Sequence, residues 1–396
     1  MRPERTGIRV RMRPRAVDEP HRVSSQLELL FDLTFVVAVA AVTAEFAHSV
    51  AGGHGSTGLV AFLQVFFAIW WAWMNFTWFA SAFDTNDVPY RLLTMLQMAG
   101  VLVLAAGVPA AASREDYRAV TLGYLVMRVG LITQWLRAGA EDPGSRRTAR
   151  RYATGIAVAQ VGWVLRLVLT EAETLPPATQ LPVFAGLVVL ELAVPRWAER
   201  TGATNWHPHH IAERYGLFTI ILLGESVFAA TTAVGGALDG GHLTGSIVTV
   251  ATAGLVLLFA LWWLYFLQPA GEGLGARRRH SYLWGYGHFG IFAALAALGA
   301  GLEVAVEWTG HHVAASALGV CYTVAAPAAV FLTLLWTVHA PIVAEPVIRL
   351  VAVLACVAAV LLLPLAAPWL GVAAVVAAIA AACVVLVAVT TRQAAH

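Results

Sequence analysis

The sequence has little charge for its length. Only 12% of its 396 residues are charged, whereas 59% are hydrophobic, and the mean hydropathy is +0.73. Soluble domains usually carry about 25% charged residues. The chain therefore lacks the polar surface that a water-soluble globule of this size would need. Apolar stretches of about 20 residues, the length of a membrane-spanning helix, recur along the whole chain.

Lysine is absent and cysteine is rare. All 25 basic residues are arginine, and seven of them fall within the first 22 residues. This basic segment lacks the short apolar core and cleavage site of a signal peptide, so we expect it to stay on the chain. The cysteines lie in apolar runs, at spacings that match no metal or disulfide pattern. We interpret Cys321, Cys356 and Cys383 as small buried hydrophobic residues.

The apolar runs predict an all-α polytopic membrane protein with about twelve transmembrane helices. Only a helix satisfies its backbone hydrogen bonds within one segment in lipid. The predicted spans are roughly 27–49, 57–82, 90–112, 117–138, 150–170, 179–197, 209–234, 243–268, 281–305, 313–336, 342–366 and 369–391.

The placement of the arginines predicts the orientation, because cytoplasmic loops are enriched in basic residues. The loops after spans 4, 6 and 8 contain arginine, and those after spans 5, 7, 9 and 11 contain none. The loop after span 3, with Arg114 and Arg118, is the exception. Even-numbered spans are therefore expected to end inside, which places both termini in the cytoplasm.

Two parts of the chain look alike, which predicts an internal repeat. Span 1 begins ELLFDLTFVVAVA and span 7 begins ERYGLFTIILLGES, and a Trp-Trp pair lies within spans 2 and 8. We expect an Arg-rich cytoplasmic tail (1–26) and two six-helix halves in parallel orientation (27–200 and 201–396). Transporters often place their binding site between such repeats.

Acids open span 1 and follow span 2. Glu28 and Asp32 are four residues apart and share one helix face. They could complement the helix dipole or serve a function. Asp84 and Asp87 are either turn residues or acids held by a cation, with Arg91 as the nearest candidate.

Span 7 begins with histidines and contains an isolated acid. His209 and His210 precede Glu213 by four and three residues, and Arg214 follows. This spacing fits a metal or proton site as well as a simple interfacial cap. Glu225 lies about 18 Å deeper than Glu213 by the helical rise. An ionised acid near mid-bilayer costs about 2.5–3.5 kcal/mol, so it is expected to be protonated or paired with another helix.

In the predicted topology these side chains gather toward the cytoplasm, and Asn75 of span 2 could hydrogen-bond across helices. We therefore predict a polar vestibule, with Glu225 as a further acid deeper in the membrane. No metal site is assigned. The predicted ion or proton path comprises Glu225, Glu213, Asp32, Glu28, His210 and Arg214, and the vestibule adds Asp84, Asp87, Arg91, Asn75 and His209.

Several stretches together resemble the bacterial low temperature requirement protein A (LtrA) family. They are LELLFDLTFVVAVA, FDTNDVPYRLLTMLQMAG and HIAERYGLFTIILLGES, and WWLYF with GYGHFGIFAALAALGAGLE fits the same pattern. The resemblance runs from about Leu27 to the end of span 12. It implies a multi-pass protein of the bacterial cytoplasmic (inner) membrane, without a defined reaction.

The resemblance also implies which residues matter. Members often carry an acid after WWLYF, where this chain has Leu267 and Gln268. If that acid belongs to the family's site, the site is altered here. The positions that match the family pattern are Glu28, Asp32, Asp84, Asp87, Arg91, His210, Glu213, Arg214, Gly224 and Glu225.

Two functions remain open. The first is a proton- or cation-coupled transporter or channel with its site between the halves and Glu225 as the ion- or proton-binding acid. The alternative is an intramembrane enzyme acting on a lipid or prenyl substrate at the inner leaflet. There Asp84 and Asp87 would hold Mg²⁺ against a diphosphate, and Arg91 would clamp a phosphate.

No cofactor is expected outside that alternative. The expected partners are membrane lipids and a small ion or solute, but no nucleic acid, and homo-oligomerisation is left open.

Overall fold

Helices dominate the part of the chain that the computed structural model describes, which is residues 8–17, 19, 22–239, 244–268, 270–310 and 313–394. Short 3₁₀ turns join some of the α-helices, and no strand occurs in these ranges. The helices are α1 (Gln26–Ala51), α2 (Gly55–Phe83), α3 (Val88–Arg114), α4 (Arg118–Glu141), α5 (Arg146–Glu171), α6 (Pro177–Ala198), α7 (Pro208–Asp239), α8 (Gly245–Phe266), α9 (Ala270–Ala276), α10 (Ser281–Gly310), α11 (Ala317–His339), α12 (Leu350–Leu362) and α13 (Ala367–Ala394).

Ten helical stretches of the described chain are long and apolar enough to cross a membrane. They include α1 to α6, α8, α10 and α11, and α12 with α13 counts as one stretch. The all-α, many-helix prediction is confirmed, but the count of twelve is not. The predicted span 342–366 contains only the 13-residue α12, about 20 Å by the helical rise. Pro364, which has no backbone N–H, lies in the 3₁₀ turn that follows.

The described residues form two compact units. The first contains the chain up to Ala38 together with Ala68–Ile211, and the second contains Val39–Phe67 and the chain from Ala212 onward. The six-plus-six repeat, its boundary near residue 200 and the cytoplasmic termini stay predictions.

Small residues allow close helix packing within each unit. In the first unit, a Cβ added to Gly123 of α4 would lie 2.4 Å from Leu104 N and 2.5 Å from Gly100 O of α3. In the second unit, a Cβ on Gly301 of α10 would lie 2.1 Å from Thr323 O of α11. Small residues at such contacts let membrane helices approach backbone to backbone. The cysteines are all buried, as predicted.

The packing of α3 against α4 predicts that Gly123→Ala destabilises the protein by about 1–3 kcal/mol, because the new methyl group meets backbone rather than a movable side chain. The measurement is thermal unfolding in detergent. Gly186→Ala in α6 is the control, since nothing lies within 4 Å of its added Cβ. Equal unfolding temperatures for the two variants would contradict the close packing.

Candidate functional site

Glu28, in the first turn of α1, has two kinds of partner. Its Oε2 accepts from the Ser25 N–H at 2.7 Å, and Ser25 Oγ accepts from the Glu28 N–H at 3.3 Å, which forms a reciprocal helix cap. Its Oε1 lies 3.0 Å from His210 Nε2 and 3.7 Å from Arg22 Nη2. Glu28 and His210 are fully buried. Glu28 can therefore have a structural and a functional role at once. Its Oε2 caps the helix, and its Oε1 contacts His210.

Asp84 joins this group through the tail arginines. Arg22 Nη2 lies 3.7 Å and Arg15 Nη1 4.0 Å from Asp84 Oδ2. Asp84 Oδ1 accepts from the Asn86 N–H at 2.9 Å, which is the expected turn contact. Burial, followed by the charge of Glu28, raises the pKa of Asp84 to about 6, although the two arginines act to lower it. We name Arg15, Arg22, Glu28, Asp84 and His210 the Glu28 cluster.

The three histidines before and within the start of α7 have different environments. His207 Nδ1 accepts from the His210 N–H at 3.3 Å and so caps the helix. Burial lowers the pKa of His207, which keeps the ring neutral and able to accept. His209 is exposed, and His210 is buried against Glu28. The carboxylate that His210 contacts is therefore Glu28 of α1, whereas the sequence spacing paired His209 and His210 with Glu213.

Asp32 and Asn75 are buried in the first unit. Asp32 Oδ1 accepts from Trp73 Nε1 at 2.7 Å, so an indole of α2 serves this carboxylate. The Nδ2 amide of Asn75 donates to Trp71 O, one turn earlier in α2, at 2.8 Å. This hydrogen bond of Asn75 lies within α2, whereas the sequence suggested a hydrogen bond to another helix.

Asp87 is the N-cap of α3 and belongs to a separate group. Arg137 Nη1 and Nη2 donate to its two carboxylate oxygens at 2.8 and 2.5 Å. The N–H groups of Val10 and Tyr90 donate at 2.8 and 3.1 Å. Although burial acts to raise it, these bonds lower the pKa of Asp87 to about 2. Arg91, expected to hold the two acids, instead donates from Nε to Asn86 Oδ1 at 2.9 Å.

The predicted Arg-rich tail is packed on the first unit. The Met12 N–H donates to Glu141 Oε2 at 2.6 Å, and the Met12 side chain is fully buried. The Arg15 N–H donates to Ala82 O at 2.9 Å. Sequence analysis missed this docking, because seven arginines indicate only a charged segment.

The remaining predicted path residues lie on α7 in the second unit. Arg214 is fully buried, Glu213 is half-buried, and Glu225 is 9% exposed. Glu225 makes no hydrogen bond or ion pair to another residue in the described ranges. A vestibule that combines residues of the two units stays a prediction.

A buried carboxylate in α6 escaped sequence analysis. Glu191 accepts from Trp71 Nε1 at 2.9 Å, Tyr124 Oη at 2.8 Å, and Gln160 Nε2 and Trp163 Nε1 at 3.2 Å each. The sequence could have indicated Glu191, because it is the single acid between Pro177 and Ala198 in the apolar sequence of α6. We name Glu191, its four donors and Arg128, which donates to Tyr124 Oη, the Glu191 network.

The described residues contain no group of three or more His, Cys, Asp or Glu side chains that could hold a metal ion. Asp84 and Asp87, the magnesium ligands of the enzyme alternative, are bound by different arginines. Both Asp87 oxygens already accept from Arg137. The pair therefore does not fit a shared Mg²⁺ site.

Comparison with known proteins identifies the family. The model of the family described as bacterial low temperature requirement A protein (LtrA) matches residues 23–390. The chain belongs to the LtrA family. Together with its many apolar helices, LtrA membership makes it a multi-pass membrane protein. The LtrA match includes Glu28, Asp84 and His210 but begins after Arg15 and Arg22.

The chain is also similar to an uncharacterized protein of Rhizobium meliloti (strain 1021). The two are 27% identical over 295 residues, which is 68% of this chain. The chain spans 66% of that relative's length.

The raised pKa of Asp84 predicts a pH-dependent stability. Between its ordinary pKa of 3.8 and about 6, the folded state binds more protons at Asp84 than the unfolded state. Its contribution therefore becomes less favourable as the pH rises through this window, by on the order of 2 kcal/mol. Thermal unfolding between about pH 4 and 7 should show this fall in the wild type relative to Asp84→Asn.

Asp87→Asn is the control. In the wild type the pKa of Asp87 is lowered, so the ionised carboxylate stabilises the fold above pH 3.8. This stability is lost only as the pH falls toward 2. The difference between the wild type and this variant should stay constant near pH 6. A constant difference for Asp84→Asn as well would refute the raised pKa.

Proposed function

We propose that this LtrA-family protein is a proton- or cation-coupled transporter or channel of the bacterial cytoplasmic membrane. The observation that supports the proposal most is the contact between Glu28 Oε1 and His210 Nε2, 3.0 Å apart and fully buried. A carboxylate and an imidazole at this distance form an ion pair when the imidazole is protonated, so protonation of the ring is linked to the charge of Glu28. The ordinary pKa of imidazole also lies close to physiological pH.

Arg22 supplies a fixed positive charge beside this pair. It lies 3.7 Å from both Glu28 and Asp84, and its side chain is 4% exposed. A fixed cation favours the ionised form of each carboxylate and opposes charging of His210. The protonation states of Glu28, Asp84 and His210 are therefore coupled, so the cluster can take up or release a proton as a unit.

The proposed role of the Glu28 cluster is proton entry or exit at the cytoplasmic face. Its helices α1 and α7 both begin at this cluster, on the side predicted to be cytoplasmic. The contact joins the first turns of two helices far apart in sequence. Movement of either helix would change the Glu28–His210 distance and hence proton affinity. Glu225, buried in α7 and without an ion-pair partner in the described chain, is the proposed acid deeper in the membrane.

The test uses purified protein in liposomes that contain a pH-sensitive dye, with imposed proton and cation gradients. We expect Glu28→Gln to reduce proton flux about tenfold or more. Glutamine keeps the helix cap at this position but cannot carry a proton or charge, so the variant isolates the second role of Glu28. His210→Ala and Glu225→Gln should reduce the flux as well.

His209→Ala is the matched control, because its ring is adjacent in sequence but exposed. It should transport at the wild-type rate. A wild-type protein that moves neither protons nor cations would refute the proposal. If Glu28→Gln and His210→Ala both transport at the wild-type rate, the Glu28 cluster has no part in the proposed transport.

A further inference from the structure

Arg128 is an arginine in the interior of α4, ten residues after its start at Arg118. The side chain is 1% exposed. Its Nη2 donates to Tyr124 Oη, and its Cζ lies 4.5 Å from the centre of the Tyr124 ring. Its Nε and Nη1 atoms are buried and have no hydrogen-bond partner within the described ranges.

Glu191 does not satisfy these donors. Its Oε1 accepts from Tyr124, Gln160 and Trp163, and its Oε2 accepts from Trp71. Tyr124 Oη therefore stands between the carboxylate and the guanidinium. Arg128 forms no direct ion pair with any described acid.

The unmatched atoms, Nε and Nη1, are both N–H donors of the positively charged Arg128 guanidinium. Arginine Nε carries one N–H and Nη1 carries two. A buried donor without an acceptor destabilises the fold, and more so when it is charged. A bound group that completes this site must supply acceptor atoms, and negative charge suits it best. A cation is disfavoured, because the unmatched donors belong to the positively charged guanidinium of Arg128.

We propose that Arg128 anchors a binding site for a small anion in the first unit, and that this anion is carried together with a proton. The Arg128–Tyr124–Glu191 group has one positive and one negative formal charge and is neutral before binding. An added anion leaves a net charge of −1 in an apolar interior, which is unfavourable unless a proton accompanies it. The carriage of the anion rests on the proposed function, whereas its binding does not.

Binding is tested on the purified full-length protein in detergent by thermal unfolding. Sodium acetate, chloride and nitrate serve as probes, and sodium gluconate, whose anion is larger, keeps the ionic strength constant. We expect a saturable rise in the unfolding temperature of the wild type with at least one small anion, because a ligand that binds only the folded state stabilises it. Arg128→Gln should abolish this shift.

Two variants guard against misfolding and general salt effects. Arg128→Lys keeps the charge but has fewer donors, and it should weaken anion binding about tenfold or more. Arg166→Gln removes another buried arginine of the first unit, which packs over the rings of Tyr117 and Phe184. It should keep the anion-dependent shift.

Trp163 provides an independent readout, because its indole donates to Glu191. The fluorescence difference between the wild type and Trp163→Phe should change on addition of the same anion, with the same midpoint as the thermal shift. No saturable effect of any small anion on the wild type, or an equal effect on Arg128→Gln, would overturn the site.

Liposome assays separate this inference from the proposed function. Anion-dependent proton flux that is lost in Arg128→Gln supports both. Binding without any flux supports the site and refutes transport. Proton flux that is unchanged by acetate, chloride and nitrate, together with no binding, refutes the anion site and leaves the proposed function standing.

Discussion

A charged side chain inside a membrane protein must find its partner within the protein, because the lipid offers none. The buried acids Glu28, Asp84, Asp87 and Glu191 of the first unit follow this constraint closely. Glu28 and Asp84 face Arg22, Asp87 faces Arg137, and Glu191 receives four neutral donors. These contacts also fix helix positions, since their partners lie on different helices or on the tail. The polar contacts therefore add to close packing in fixing the arrangement of the helices, because lipid provides no hydrophobic driving force between them.

The same constraint separates structural acids from functional candidates. Asp87 has a bidentate arginine, a backbone donor from the tail and a helix-cap role, and its pKa of about 2 keeps it ionised. Asp84 accepts one backbone N–H and has its arginines at 3.7 and 4.0 Å, and its pKa of about 6 lies near the physiological range. Two acids three residues apart thus differ in environment, because both oxygens of Asp87 accept from an arginine and neither oxygen of Asp84 does.

Much of the fold could be predicted from the sequence, because span length and apolar composition follow directly from bilayer thickness. The last spans were harder. Pro364 and Gly371 interrupt an apolar run that hydropathy alone treats as continuous. In the candidate site, the predicted residues Glu28, Asp84 and His210 lie together in the first unit, and their role stays a prediction.

Their partners could not be predicted. Arg91 is close to Asp84 and Asp87 in sequence, but Arg15, Arg22 and Arg137 reach them through the fold. Long-range pairing depends on helix rotation and packing, which periodicity does not specify in helices that are apolar on all sides. Glu191 was overlooked for a related reason. Its four donors come from three other helices, and none is close to it in sequence.

The docked tail has a consequence for how the protein is assembled. The Met12 backbone binds Glu141, which is 129 residues later in the chain, and the Val10 backbone binds both Asp87 and Arg137. The bonds to Arg137 and Glu141 can form only after α4 has been synthesised, since both residues lie in its last turns. The tail therefore docks on this unit only after its first four helices have been made. Val10 and Met12 therefore reach their native positions in this unit only after residues more than 100 positions later in the chain.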